Sequence, residues 1–254
     1  MATFVLIHGS WHWGGCYLKV ANSLAAKGHV VSCPDLLTLG FDPTPPGTVP
    51  DLPAYLGPAK KLVEAAKEKV IVLGHSMGGV SVSYLGETMP DKIKRLVYLC
   101  AFLCPPSKTA NDYLFSEDFL KDPMVSEFNE NMKIVPKGVQ MTTSNLEFMK
   151  TAFYNDCSDH DVSVAVKNVS PIGPLVANVW AHETTKERFG RLPITYIECL
   201  QDKAIPIKVQ KNMQNDVRAA FGIDIDTKVM DASHSPFLSQ PEKLADILDG
   251  LAYS

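Results

Sequence analysis

Residues 69–89 constrain this chain more than any other stretch. Lys69-Val70-Ile71-Val72-Leu73 is apolar and β-branched after its first residue. It runs straight into Gly74-His75-Ser76-Met77-Gly78, and Gly79 to Met89 then reads as helix. A short apolar run bounded by glycine predicts a buried strand. A Gly-x-Ser-x-Gly turn between strand and helix forces the serine into a strained backbone conformation, because side chains at the flanking positions would meet the neighbouring strand and helix. Such a turn leaves the Ser76 hydroxyl exposed above the carboxyl edge of a sheet. Ser76 is therefore the candidate nucleophile.

A serine nucleophile needs a base, and the base needs an acid that orients it. After a strand–serine–helix turn the acid and the histidine follow later in the chain, in that order. Of the seven histidines, only His234 lies late enough to follow the last strand. Thr227-Lys228-Val229-Met230 reads as that strand and Asp231 to Pro236 as the loop leaving it. The preceding strand, Pro193 to Leu200, is followed at once by Gln201-Asp202-Lys203, which makes Asp202 the candidate acid. Glu198 lies inside the strand, and Asp231, three residues before His234, is expected to brace its loop.

The fourth component is a pair of amides for a developing oxyanion. Phe4-Val5-Leu6-Ile7 reads as a buried strand with His8-Gly9-Ser10-Trp11 as its exit loop. Gly9 permits a tight turn that aims the Ser10 N–H at the same point as the N–H of Met77. His8 is expected to hold this loop by hydrogen bonding. Trp11 and His12 are placed at the rim of the substrate pocket.

Short apolar strands alternate with amphipathic helices, which predicts an α/β fold: about six mostly parallel strands, flanked by helices and joined by right-handed crossovers. The strands are expected near 3–7, 29–33, 69–73, 95–100, 194–199 and 227–230. The helices are expected near 17–27, 52–67, 79–89, 207–219 and 241–251. The 254 residues suit one core. A net charge of -4 points to no nucleic-acid or acidic-membrane partner. No secretory leader or membrane span is recognisable, and the six cysteines are scattered without metal-ligand spacing. Reduced thiols and a cytoplasmic location are the expectation, with no metal.

Residues 105–191 break the alternation. They carry many aromatics, Phe115, Phe119, Phe128, Phe153 and Trp180 among them, interleaved with polar residues. They read as a mainly helical cap inserted before the last two strands and roofing Ser76, with residues 1–104 and 192–254 forming the core. Phe102, Phe153 and Trp180 are expected to line the pocket with Trp11 and His12.

His8-Gly9-Ser10, the Ser76 turn, Glu187-Arg188-Phe189-Gly190, Asp202 to Pro206 and His234 resemble the small α/β-hydrolases that include plant methylesterases and hydroxynitrile lyases. The stretches Ile205 to Gln210 and Ala232 to Pro236 are closer still to bacterial carboxylesterases of this group, pyrethroid-hydrolysing ones included. The resemblance implies the α/β-hydrolase fold with a helical cap, a Ser76–Asp202–His234 triad, an oxyanion hole from the Ser10 and Met77 amides, no cofactor, a small-molecule ester substrate and, in many members, a homodimer. Lyases of the (S)-selective type carry threonine in place of Gly9 and lysine in place of Ser235, so ester hydrolysis is favoured over cyanohydrin cleavage. A third reading, a ligand receptor built on the same fold, is disfavoured because all three triad positions are filled.

Overall fold

The strands at the centre of the main sheet are apolar on both faces, and this dictates the layering. In the computed structural model, which describes residues 1–254, Val70 and Val72 join one buried cluster while Ile71 and Leu73, pointing the opposite way, join another. Strands buried on both sides need helices on both sides.

The chain forms β1 (Thr3–Ile7), α1 (Leu18–Ala26), β2 (Val30–Ser32), α2 (Leu52–Tyr55), α3 (Gly57–Ala65), β3 (Val70–His75), α4 (Gly78–Thr88) and β4 (Ile93–Leu99). An inserted segment then carries α5 (Ala110–Leu114), α6 (Glu117–Leu120), α7 (Met124–Asn131), β5 (Met132–Val135), β6 (Gly138–Met141), α8 (Leu146–Phe153), α9 (Asp159–Asn168) and β7 (Ile172–Gly173). The main sheet resumes with β8 (Ile194–Cys199), α10 (Ile207–Phe221), β9 (Asp226–Met230), α11 (Pro236–Ser239) and α12 (Pro241–Leu251). The six-stranded sheet has the order β2-β1-β3-β4-β8-β9, and every pairing in it is parallel. All six carboxyl ends therefore share one edge.

Two elements of the fold depart from the sequence reading. The single helix expected over 52–67 is two, α2 and α3. Pro58 has no N–H to bond the carbonyl four residues back, and the chain leaves helical geometry at Leu56 (φ -89°, ψ 7°). The inserted segment also holds a three-stranded antiparallel sheet, β5-β6-β7, besides its five helices. Its hairpin turns at Pro136-Lys137 into Gly138, whose φ of +140° suits glycine. Pro-Lys-Gly between Ile134-Val135 and Val139 was the available hairpin signal.

Candidate active site

Register places the candidate side chains before any of them touch. β1 lies beside β3 with Ile7 opposite Gly74, so the loops after both strands leave the sheet side by side. β8 pairs with β9 so that Cys199 faces Met230. Ser76 follows β3 directly, Asp202 lies three residues past β8 and His234 four past β9. Their separation of more than 150 residues in sequence closes at one sheet edge, where open parallel sheets present their ligands.

Ser76 has φ +54°, the strained conformation expected of the turn. Its amide donates to the Leu99 carbonyl (3.2 Å), and its own carbonyl accepts from the amides of Gly79 (3.1 Å) and Phe102 (3.0 Å). The glycines are sterically enforced. A β-carbon on Gly74 would sit 2.4 Å from the Gly78 carbonyl oxygen, and one on Gly9 would sit 2.7 Å from the Ser76 β-carbon. Nothing larger than glycine lets the β1 exit loop approach the serine this closely.

Asp202 is buried and fully satisfied. Its Oδ1 accepts from the amides of Ala204 (2.8 Å) and Ile205 (2.9 Å), and its Oδ2 from Gln210 Nε2 (3.2 Å) and His234 Nδ1 (2.7 Å). A buried carboxylate is tolerated when its lone pairs are used in this way. His234 therefore carries its proton on Nδ1 and turns Nε2 away from the acid, toward the side a base needs. No other protein group engages Nε2 or the Ser76 hydroxyl. A serine–histidine bond often forms only when substrate is bound. Asp231 accepts from Gln201 Nε2 (2.9 Å), and its carbonyl accepts from Gln240 Nε2 (2.6 Å), so it braces the loop without reaching His234. Glu198 is occupied within the sheet by Gln214 Nε2 (2.8 Å).

Two supporting residues escaped the sequence reading. Gln210, on the buried face of α10, bonds Asp202 while tying Cys199 and the Ile205 carbonyl (2.8 Å) to it. Its only sequence signal is a polar residue beside the apolar stripe of Val209, Met213 and Val217. His75 donates from Nε2 to the His234 carbonyl (2.7 Å) and thus links the serine turn to the histidine loop. Burial, with His234 alongside, pushes the His75 pKa well below the usual histidine range. His75, Cys100 and His234 are the one grouping with metal-ligand chemistry, their ligand atoms lying within 4.8 Å of one another. The bonds from His75 to the His234 carbonyl and from His234 to Asp202 already occupy a nitrogen on each ring.

His8 behaves as expected. Its Nε2 accepts from the Leu36 amide (3.1 Å) and its Nδ1 donates to the Gly9 carbonyl (2.9 Å), which fixes the β1 exit loop. The amides of Ser10 and Met77 donate to no other protein group. Both residues line a cavity of about 220 Å³ that also contains Ser76, Trp11, Phe102 and Phe153. Most of its remaining wall comes from the inserted segment.

Two expected lining residues are elsewhere. His12 is buried behind the loop, its Nδ1 bonded to the Ser10 carbonyl (2.9 Å) and its Nε2 to the Tyr154 hydroxyl (3.0 Å), and burial lowers its pKa to about 3. Trp180 packs on Tyr84 (5.6 Å between centroids) and His182 (4.5 Å), outside the cavity. Trp11 does line it. With φ +62°, Trp11 donates from Nε1 to the Val139 carbonyl (2.9 Å) and so pins the β1 exit loop to the inserted sheet.

The chain matches the alpha/beta hydrolase family over residues 4–247 and belongs to it. It is similar to methylesterase 7 of Arabidopsis thaliana, with 30% identity over 96% of this chain and 94% of the relative. It is also similar to a pyrethroid hydrolase of Sphingobium wenxiniae, with 31% identity over 98% of this chain and 86% of the relative. Among solved structures, a pyrethroid hydrolase from Sphingobium faniae superposes with a TM-score of 0.89 at 30% identity, covering 100% of this chain and 98% of the other. The chain is an ester-hydrolysing enzyme of that family. No helix is long and apolar enough to cross a membrane.

Proposed function

We propose that this enzyme cleaves carboxylic esters of small to medium apolar or aromatic substrates, with Ser76 as nucleophile, His234 as general base and acid, and Asp202 as its orienting carboxylate. The observation that carries this reading is the buried 2.7 Å Asp202–His234 bond at the sheet edge that presents a strained Ser76. Cysteine is a poor alternative nucleophile here, since burial pushes the Cys100 and Cys199 thiols up, away from the reactive thiolate.

The chemistry is acyl transfer in two steps. His234 Nε2 takes the Ser76 proton as Oγ attacks the ester carbonyl, and Asp202 stabilises the imidazolium through Nδ1. The oxyanion is held by the Ser10 and Met77 amides. The C–O bond to the alcohol breaks and His234 protonates the leaving oxygen. Water, deprotonated by the same nitrogen, then attacks the acyl-enzyme and releases the acid and the free serine. The relatives' names point to methyl esters in one branch and pyrethroids in the other, and the aromatic cavity supports a bulky apolar group on one side of the bond. Cyanohydrin cleavage is disfavoured because position 9 has no room for a β-carbon and position 235 supplies no cation.

The same proposal makes residues 105–191 the cap that shapes the substrate cavity. It also places the protein in a reducing cytoplasm, on six free cysteines, and allows a homodimer.

Ser76→Ala tests the core of the reading. Hydrolysis of nitrophenyl esters should fall by about a million-fold, and the burst of nitrophenol should vanish, with the fold retained by circular dichroism. Substantial residual turnover, or no labelling of Ser76 by an organophosphonate, overturns the assignment.

A further inference from the structure

The cavity holds polar groups for which the acyl-transfer machinery has no use. Of its 21 lining residues 16 are hydrophobic; the others are Ser10, Ser76, Asn111, Asn129 and Asn178, and none is charged. The two serines belong to the reaction centre, whereas the asparagines belong to the segment inserted after β4. Asn178 is only 8% exposed, yet its side-chain amide has no hydrogen-bond partner in the protein. The amide is not sealed off but opens into the cavity, where a ligand that replaces its water and bonds it is favoured over one that leaves it unpaired. Asn111, in the first turn of α5, also has a free side-chain amide. Its backbone N–H donates to the Asn178 carbonyl (3.3 Å), which holds the two residues side by side in the cavity wall.

We propose that Asn178 and Asn111 form a neutral hydrogen-bonding subsite that selects esters bearing an uncharged oxygen function, a ketone or a hydroxyl, remote from the scissile carbonyl. This rests on the reading of Ser76 as nucleophile and adds a substrate class to it. A primary amide offers both a donor and an acceptor, so a ketone accepts from Nδ2 and a hydroxyl donates to Oδ1. A free carboxylate or ammonium is rejected, because no lining side chain carries the opposite charge and burying an unpaired ion is prohibitive.

Two matched ester pairs test the subsite from either side of the scissile bond. The acetates of 4-butylphenol and 4-(3-oxobutyl)phenol differ in the alcohol, and nitrophenyl hexanoate and nitrophenyl 5-oxohexanoate differ in the acid. In at least one pair, wild-type kcat/KM should favour the oxo member by about 10- to 100-fold, and Asn178→Leu should bring the ratio to within about threefold of unity. No preference in either pair overturns the proposal. So does a preference that survives both Asn178→Leu and Asn111→Leu, or an equal fall on both members of each pair.

Calorimetric binding of the free phenols, 4-butylphenol against 4-(3-oxobutyl)phenol, keeps the two readings separate. If no ester is turned over, the nucleophile assignment fails, and the ratio of the two Kd values in wild type and Asn178→Leu decides the subsite alone. Equal Kd values in wild type, or a ratio unchanged by Asn178→Leu, then reject it.

Discussion

Asp202 and Asp231 lie on adjacent loops, and both are within plausible sequence distance of His234. Only Asp202 is buried, and only its carboxylate meets Nδ1, while Asp231 faces solvent and Gln201. Asp202→Asn should therefore cut kcat by about 10⁴, since the amide favours the wrong imidazole tautomer. Asp231→Asn should leave kcat within about threefold, as an exposed side chain away from the reacting atoms does. Steady-state kinetics of both variants on one nitrophenyl ester check the ranking, and a reversed order would remove Asp202 from the proposed triad. At this scale the sequence was informative because strand–loop order alone puts Ser76, Asp202 and His234 at carboxyl ends of strands. Gln210 and His75 were hidden because their roles depend on which backbone groups the folded chain sets beside them.

The elements divide the labour. The main sheet supplies Ser76, Asp202, His234 and the two amides, whereas helices and strands between β4 and β8 supply most of the cavity wall. Phe153 lines the cavity with its ring 5.8 Å from that of His234, and Trp180 packs outside it. Phe153→Ala should thus change the ranking of bulky against small esters, by about 10-fold or more for one pocket side chain. Trp180→Ala should leave that ranking unaltered and show its cost as a lower melting temperature. Paired kinetics on nitrophenyl acetate and nitrophenyl benzoate separate the two, and a shifted ranking in Trp180→Ala would place that residue at the substrate after all. Sequence reading set residues 105–191 apart by their broken alternation and put Trp180 and His12 in the pocket. An aromatic side chain looks the same in composition whether it faces a cavity or a neighbouring tyrosine. The β5-β6-β7 sheet was missed for a related reason: its strands are two to four residues long, too short to establish a period.

Across the whole molecule, burial sets how stability responds to acid. His8, His12, His75 and His182 all have pKa values lowered by burial, His12 to about 3 and His182 to about 4. Below the ordinary histidine value of 6.5 the unfolded chain takes up protons that the folded chain refuses. Stability is therefore complete above that value and falls as pH drops toward the folded values, by up to about 1.4 kcal/mol per pH unit for each such histidine. The urea midpoint should drop steeply between pH 7 and pH 5.5. His182→Gln, far from the reacting atoms, should make that drop shallower, and a midpoint flat across the window would contradict the neutral buried histidines.

What the sequence determined by itself is what local pattern encodes. The apolar runs give strands buried on both faces, and their alternation with helices gives a parallel sheet. The glycines around Ser76 and at position 9 give the tight turns, and chain order gives the candidate acid and base. The tertiary structure alone decided what surrounds them: Gln210 and His75 behind the pair, Trp11 on the inserted sheet, and asparagine rather than charge in the cavity wall. The reason is one of range. Steric and periodic constraints act between residues a few positions apart, whereas a hydrogen bond across 32 or 159 residues of chain exists only once the sheet register has fixed where both ends lie.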